Sequence, residues 1–78
     1  MSKKQIEECV RNSLDGYFRD LKGTEPAGMY EMMVRVVERP MLEVVMREAE
    51  NNQSRAAQWL GLNRNTLRKK LVEHKLLD

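Results

Sequence analysis

Apolar residues along this chain recur at three- and four-residue steps, the repeat of one helix face, and no stretch alternates long enough to suggest a strand. Ile6, Cys9, Val10, Ser13, Leu14, Tyr17, Phe18 and Leu21 lie on one such face and predict a first helix from about Lys4 to Lys22. Ser2 and Gln5 have the spacing of a capping box at its start, and Gly23 is a stop signal at its end. Gly16 lies inside this helix, where it costs about 1 kcal/mol against alanine and leaves room for another helix to come close.

Thr24, Glu25 and Pro26 then read as a capping hydroxyl, an acidic first turn and a proline near a helix start. They predict a second helix from about Glu25 to Glu50, with Met29, Met32, Met33, Val36, Val37, Met41, Val44 and Val45 as its stripe. Pro40 falls on that stripe and is expected to kink the helix, because it removes one backbone hydrogen bond. Asn51 and Asn52 close it, and Asn52 caps a third helix from Gln53 to Leu60. Gly61, Leu62 and Asn63 form a short turn, with Asn63 capping a fourth helix from Arg64 to Glu73 or His74. The tail after it, Lys75 to Asp78, frays or folds back to bury a leucine. The fold class is all-α.

Size changes how the long second helix is understood. A chain of 78 residues makes one domain, residues 1–78, with a marginal core. Cys9 and His74 are the only residues of their types, so no internal disulfide or four-ligand zinc site can add stability. A second copy of the chain is the remaining source, and a homodimer is expected. Residues 4–50 are then a two-helix dimerisation core and residues 51–78 a separate small unit. The methionines of the stripe read as core and dimer seam, Cys9 as a small buried hydrophobe, Trp59 as packing at the edge of the small unit, and His74 as a helix C-terminal residue.

Charge divides the chain at the same place. Residues 1–50 hold eight basic and ten acidic residues, whereas residues 51–78 hold six basic and two acidic ones. All the excess positive charge lies in the last third, the mark of a polyanion-binding end. That end also has the grammar of a helix-turn-helix. Ala56 and Ala57 let two short helices cross closely, Gly61 accepts a positive φ in the turn, and Leu60, Leu62, Leu67 and Leu71 pin the pair. Lys70 takes a position that is often apolar in the motif, with Leu71 assuming the packing role.

Once those residues are buried, Arg64, Asn65, Thr66, Arg68 and Lys69 remain on the outer face of the fourth helix. In this motif the N-terminal end of that helix enters the major groove of double-stranded DNA. Arginine can pair with guanine O6 and N7 and asparagine with adenine N6 and N7, so Asn63 and Arg64 are candidate base contacts. Asn52, Ser54, Thr66, Arg68 and Lys69 are placed for the phosphate backbone.

The run Gly61-Leu-Asn-Arg-Asn-Thr-Leu-Arg-Lys-Lys-Leu71 closely resembles the C-terminal signature of the Fis family, bacterial nucleoid-associated proteins that bend DNA. Asn52-Gln-Ser-Arg-Ala-Ala57, Tyr30-Glu31 and Glu38-Arg-Pro-Met-Leu42 extend the resemblance over nearly the whole chain. It implies an intertwined homodimer of four-helix subunits, whose two recognition helices lie closer together than one turn of straight DNA. Binding then implies bending and indirect readout. The resemblance also implies base contacts by Asn63 and Arg64, backbone contacts by Asn52, Ser54, Thr66, Arg68, Lys69 and Lys70, and a cytoplasmic, nucleoid-associated regulator of transcription.

Two features differ from the family pattern. Longer members carry an N-terminal arm that touches site-specific recombinases, and here the first helix signal begins at about Lys4. The turn before the third helix, where members meet RNA polymerase, reads Glu50-Asn51 in place of a basic residue and glycine.

No nucleophile elbow, glycine-rich phosphate loop or cluster of metal ligands stands in the sequence, so a non-enzyme without cofactor is expected. No apolar run approaches the roughly 18 residues needed to cross a bilayer, and no membrane partner is expected. Two alternatives stay open on the residues: a helical adaptor that docks a protein on its second helix, and a stand-alone relative of the DNA-binding unit of enhancer-binding activators.

Overall fold

A computed structural model describes residues 2–77 as four helices, α1 (Lys3–Leu21), α2 (Met29–Glu48), α3 (Gln53–Leu60) and α4 (Arg64–Glu73). Among the described residues there is no strand, and no helix is long and apolar enough to cross a membrane. The all-α class read from the periodicity holds, as do the bounds of α3 and α4.

The capping chemistry explains where most helices begin. Ser2 Oγ accepts from the Gln5 amide at 3.2 Å and the Gln5 side chain accepts from the Ser2 amide at 2.9 Å, the reciprocal capping box. Asn52 Oδ1 accepts from the Arg55 amide at 3.0 Å, and Asn63 Oδ1 from the Asn65 amide at 2.8 Å. The start of α2 corrects the expectation. Thr24 does not cap it; the helix begins at Met29 behind Gly28, whose φ of 64° is left-handed and makes no side-chain cap. A left-handed residue cannot lie inside a right-handed helix, and Pro26 disfavours helical geometry at Glu25 before it. The turn from Glu25 to Gly28 therefore stays out of the helix.

Three helices end in the same way. Asn51 N–H reaches Met46 O at 2.9 Å and Glu50 N–H reaches Arg47 O at 3.1 Å, the paired bonds of a Schellman motif. Leu62 to Ala57 with Gly61 to Gln58 repeats it after α3, and Leu76 to Leu71 with Lys75 to Val72 after α4. The left-handed residue of the motif is Gly61 after α3 but Glu50 (φ 53°) and Lys75 (φ 59°) after α2 and α4. A side chain in that region costs on the order of 1 kcal/mol, which the satisfied carbonyls help offset. The Schellman closure ends α2 two residues before the expected Glu50. The closure after α4 turns the tail back, so that Leu76 and Leu77 pack on the core.

The core consists of Leu42, Ala49, Ala56, Ala57, Leu67 and Leu71, with Val45, Met46 and Leu60 against it. All of it joins the second half of α2 to the helix-turn-helix. Leu42 lies outside the expected stripe, yet it is the fully buried side chain of α2. The reason is that α2 is apolar on two opposite faces. Leu42, Val45, Met46 and Ala49 meet α3 and α4, while Val36, Val37, Met41 and Val44 remain exposed. Pro40 lies exposed on this second side, and the helix runs unbroken through it.

α1 buries no residue. It faces the first half of α2 across an open apolar groove lined by Val10, Leu14 and Tyr17 on one side and Met32, Met33 and Val37 on the other. Cys9 is exposed there rather than buried, a second correction. A Cβ placed on Gly16 would meet only the Arg19 guanidinium, at 3.7 Å, so no helix of this chain uses the space that Gly16 leaves.

Candidate nucleic-acid interface

Two buried alanines set the crossing of α3 and α4. Ala56 and Ala57 present no side chain beyond Cβ, so Leu67 and Leu71 of α4 can seat against them and disappear from solvent. Gly61, at φ 73°, reverses the chain between the helices and places Asn63 at the head of α4. With Leu67 and Leu71 turned inward, helical geometry turns Asn65, Arg68 and Lys69 outward. All three are exposed, as are Arg64 and Thr66 in the first turn.

The caps bring a second group of residues to this surface. Asn52 and Ser54 stand exposed at the N-terminus of α3, and Asn63 at that of α4. Because the Asn63 carbonyl oxygen caps its helix, the Nδ2 amide is left to donate outward. The two helix N-termini add unpaired backbone N–H groups and the positive end of the helix dipole. Arg55, Arg64, Arg68 and Lys69 make no ion pair among the described residues. Such a face, with donors and no facing carboxylate, suits a polyanion.

Lys70 departs from the expected set. Its Nζ lies 2.9 Å from Glu38 Oε2 on α2, and the other oxygen of that carboxylate lies 2.8 Å from His74 Nε2. An ionised carboxylate only accepts, so Nε2 is the nitrogen that carries the proton. The neighbouring Arg39 donates to the His74 carbonyl, one of the orphan acceptors at the end of α4, and pairs with Glu43 at 3.3 Å. Consecutive residues of α2 thus grip the C-terminal end of α4 by side chain and by backbone. His74 ends α4 as expected, and at 5% exposure it is also an internal strut.

Sequence reading missed this clamp because its members stand 32 to 36 positions apart. One local signal was present: Leu67, Leu71 and His74 follow the i, i+4, i+7 repeat of a single buried face.

The hydrogen bond from Lys70 holds the Glu38 carboxyl below its ordinary value of 4.5, against the opposing effect of burial, and His74 adds to the lowering. The same bond raises Lys70 above its ordinary 10.5. A depressed carboxyl stabilises the fold above its unfolded value and loses that contribution as pH falls through the folded one. A raised ammonium stabilises below its unfolded value and loses that contribution as pH rises through the folded one. The clamp is therefore fully effective from about 4.5 to about 10.5. Melting temperature should fall as the solution is acidified below that window, and Glu38→Gln should flatten this part of the profile. An acid limb of the same depth in Glu38→Gln would exclude the clamp as its source.

Comparison with known proteins agrees with this geometry. The family described as bacterial regulatory protein, Fis family, matches residues 33–74, which take in most of α2 and the whole helix-turn-helix. A Fis-like DNA-binding protein of Ralstonia nicotianae is 58% identical over 77 residues, covering 99% of this chain and 100% of the relative. A Fis-like DNA-binding protein of Neisseria meningitidis is 56% identical over 72 residues, 92% of this chain and 91% of the relative. DNA-binding protein Fis of Proteus mirabilis is 40% identical over 74 residues, 95% of this chain and 76% of the relative.

Proposed function

The chain belongs to the Fis family of bacterial regulatory proteins, and from that premise we propose that it is a homodimeric regulator that binds and bends double-stranded DNA. The observation that carries the reading is the outer face of α4. Arg64, Arg68 and Lys69 stand there with no carboxylate partner among the described residues, beside the capped N-termini of two helices. Arg64 and the Asn63 amide are the base-reading groups, since they stand at the end of α4 that enters the major groove. Asn52, Ser54, Thr66, Arg68 and Lys69 hold the phosphate backbone and fix register.

Residues 4–50 form the dimer core and residues 51–78 the DNA-binding unit. The exposed apolar face of α2 and the open groove against α1 support the dimer. Two α4 helices carried on one rigid dimer core have a fixed separation. DNA must bend to meet both, and sequence preference then includes the cost of that bend. A nucleoid location follows from such a role. Contact with RNA polymerase would fall on the turn at Glu50 and Asn51, which offers an acidic side chain.

Mobility of circularly permuted duplex fragments at two salt concentrations tests the reading. Three cations from each of two subunits should give a slope of log K against log salt of about −5. Arg64→Ala should lose about 1–3 kcal/mol at the preferred site and flatten sequence preference. Lys69→Ala should weaken all sequences alike. A slope near zero, or an unshifted fragment at low salt, would remove DNA as the ligand.

A further inference from the structure

Three consecutive cations, Arg68, Lys69 and Lys70, look equivalent along the sequence, but the fold treats them differently. Arg68 and Lys69 are exposed and make no ion pair among the described residues, whereas Lys70 is half-buried with its ammonium on Glu38. The Glu38 side chain is 13% exposed, and each of its oxygens is engaged, one by Lys70 and one by His74. Arg39 adds its bond to the His74 carbonyl from the next position of α2.

The clamp is the polar counterpart of the Leu42, Leu67 and Leu71 contact. Apolar packing resists separation but lets a helix slide and rock. Hydrogen bonds to fixed atoms define a direction. An α4 held at both its apolar face and its C-terminal end has one attitude on α2. An ammonium drawn into that clamp is also neutralised locally, and pulling it out would leave the Glu38 charge short of a partner in a partly desolvated site.

We propose that Glu38 is a positioning residue for nucleic-acid contact: it fixes α4 against α2 and retains Lys70 as an internal tie, so the basic triplet presents two cations to a phosphate backbone and not three. The proposal rests on the DNA-binding reading above. It adds that one of the residues a sequence pattern marks for phosphate is withheld, and it names the α2 carboxylate that withholds it.

The test compares wild type, Lys70→Ala, Glu38→Gln and the double variant on one duplex fragment, reading log K against log salt. Glu38→Gln keeps the shape of the side chain while removing its charge. Lys70→Ala should leave the wild-type slope unchanged. Glu38→Gln should steepen it by about 2, because each of two released Lys70 side chains neutralises one more phosphate. The double variant should return to the wild-type slope. A mere loss of stability would lower melting temperature without producing this pattern.

Should Glu38→Gln fail to fold, Lys70→Ala alone decides: a slope flatter than wild type by about 2 would show Lys70 on the backbone and overturn the proposal. A Glu38→Gln slope equal to wild type would overturn it too. If wild type binds no fragment, the DNA-binding reading falls and this proposal with it, which separates that failure from the others. Urea denaturation of the same four proteins reads the tie without DNA. Lys70→Ala should lower the midpoint in the wild-type background and not in Glu38→Gln, and equal losses in both would mean that no tie exists.

Discussion

Leu67→Ala is expected to cost about 2–5 kcal/mol, the range for truncating a fully buried leucine. A chain of 78 residues has roughly 4–12 kcal/mol in total, so the loss takes up a large part of it. Leu67 has no exposed surface and stands where three helices meet. It shares one core cluster with Ala56, Ala57 and Leu42. Alanines have no side chain to move into the void, and Leu42 is held on a helix of 20 residues, so the cavity should stay largely open. Urea denaturation followed by far-UV circular dichroism, at one fixed protein concentration, should show a lower midpoint with little change in slope. Val72→Ala on the same helix is the control. Val72 is 47% exposed, and its truncation should change stability by no more than about 0.5 kcal/mol. Equal losses in the two variants would mean that the core does not lie between α2 and the helix-turn-helix.

The parts of the molecule legible in the sequence are those set by local chemistry. Asn52 and Asn63 cap α3 and α4 because an Asx side chain reaches the amide two or three residues on, a contact that needs no knowledge of the rest of the chain. Gly61 is similarly local. Most of what the local pattern does not reveal depends on distant packing. Leu42 was passed over because α2 has two apolar faces, and periodicity alone does not say which face meets the rest of its own chain. Gly28 was passed over because Pro26 gave an earlier start signal, though a glycine two residues later permits the left-handed turn that delays the helix. Lys70 and His74 share a single carboxylate on α2, a contact that their places on α4 do not reveal. For the candidate interface, the residue types could be read from the chain, but which of three adjacent cations is free required the fold.

Val37→Glu should abolish the proposed homodimer. A compact chain of this size exposes roughly 4,900 Å², whereas this one exposes 6447 Å². Its radius of gyration is 15.1 Å, against about 11.5 Å for a compact domain of the same length. Part of the exposed area is apolar. Ile6 and Phe18 of α1 and Val34, Val36, Val37, Met41 and Val44 of α2 are all at least two-fifths exposed. An excess of roughly 1,500 Å² per chain would give about 3,000 Å² in a dimer, within the range of obligate homodimer interfaces. Val37 borders both the groove against α1 and the open face of α2, so a carboxylate there would be buried without a partner in the assembly. Sedimentation should give wild type twice the mass of the chain, with a melting temperature that rises with protein concentration. Val37→Glu should sediment as a single chain or unfold, and should lose the bent DNA complex because one α4 alone cannot span two half-sites. Arg64→Ala should stay dimeric, which separates loss of assembly from loss of reading. A Val37→Glu protein with wild-type mass and melting would move the seam away from this face and leave the exposed valines of α2 without a role in assembly.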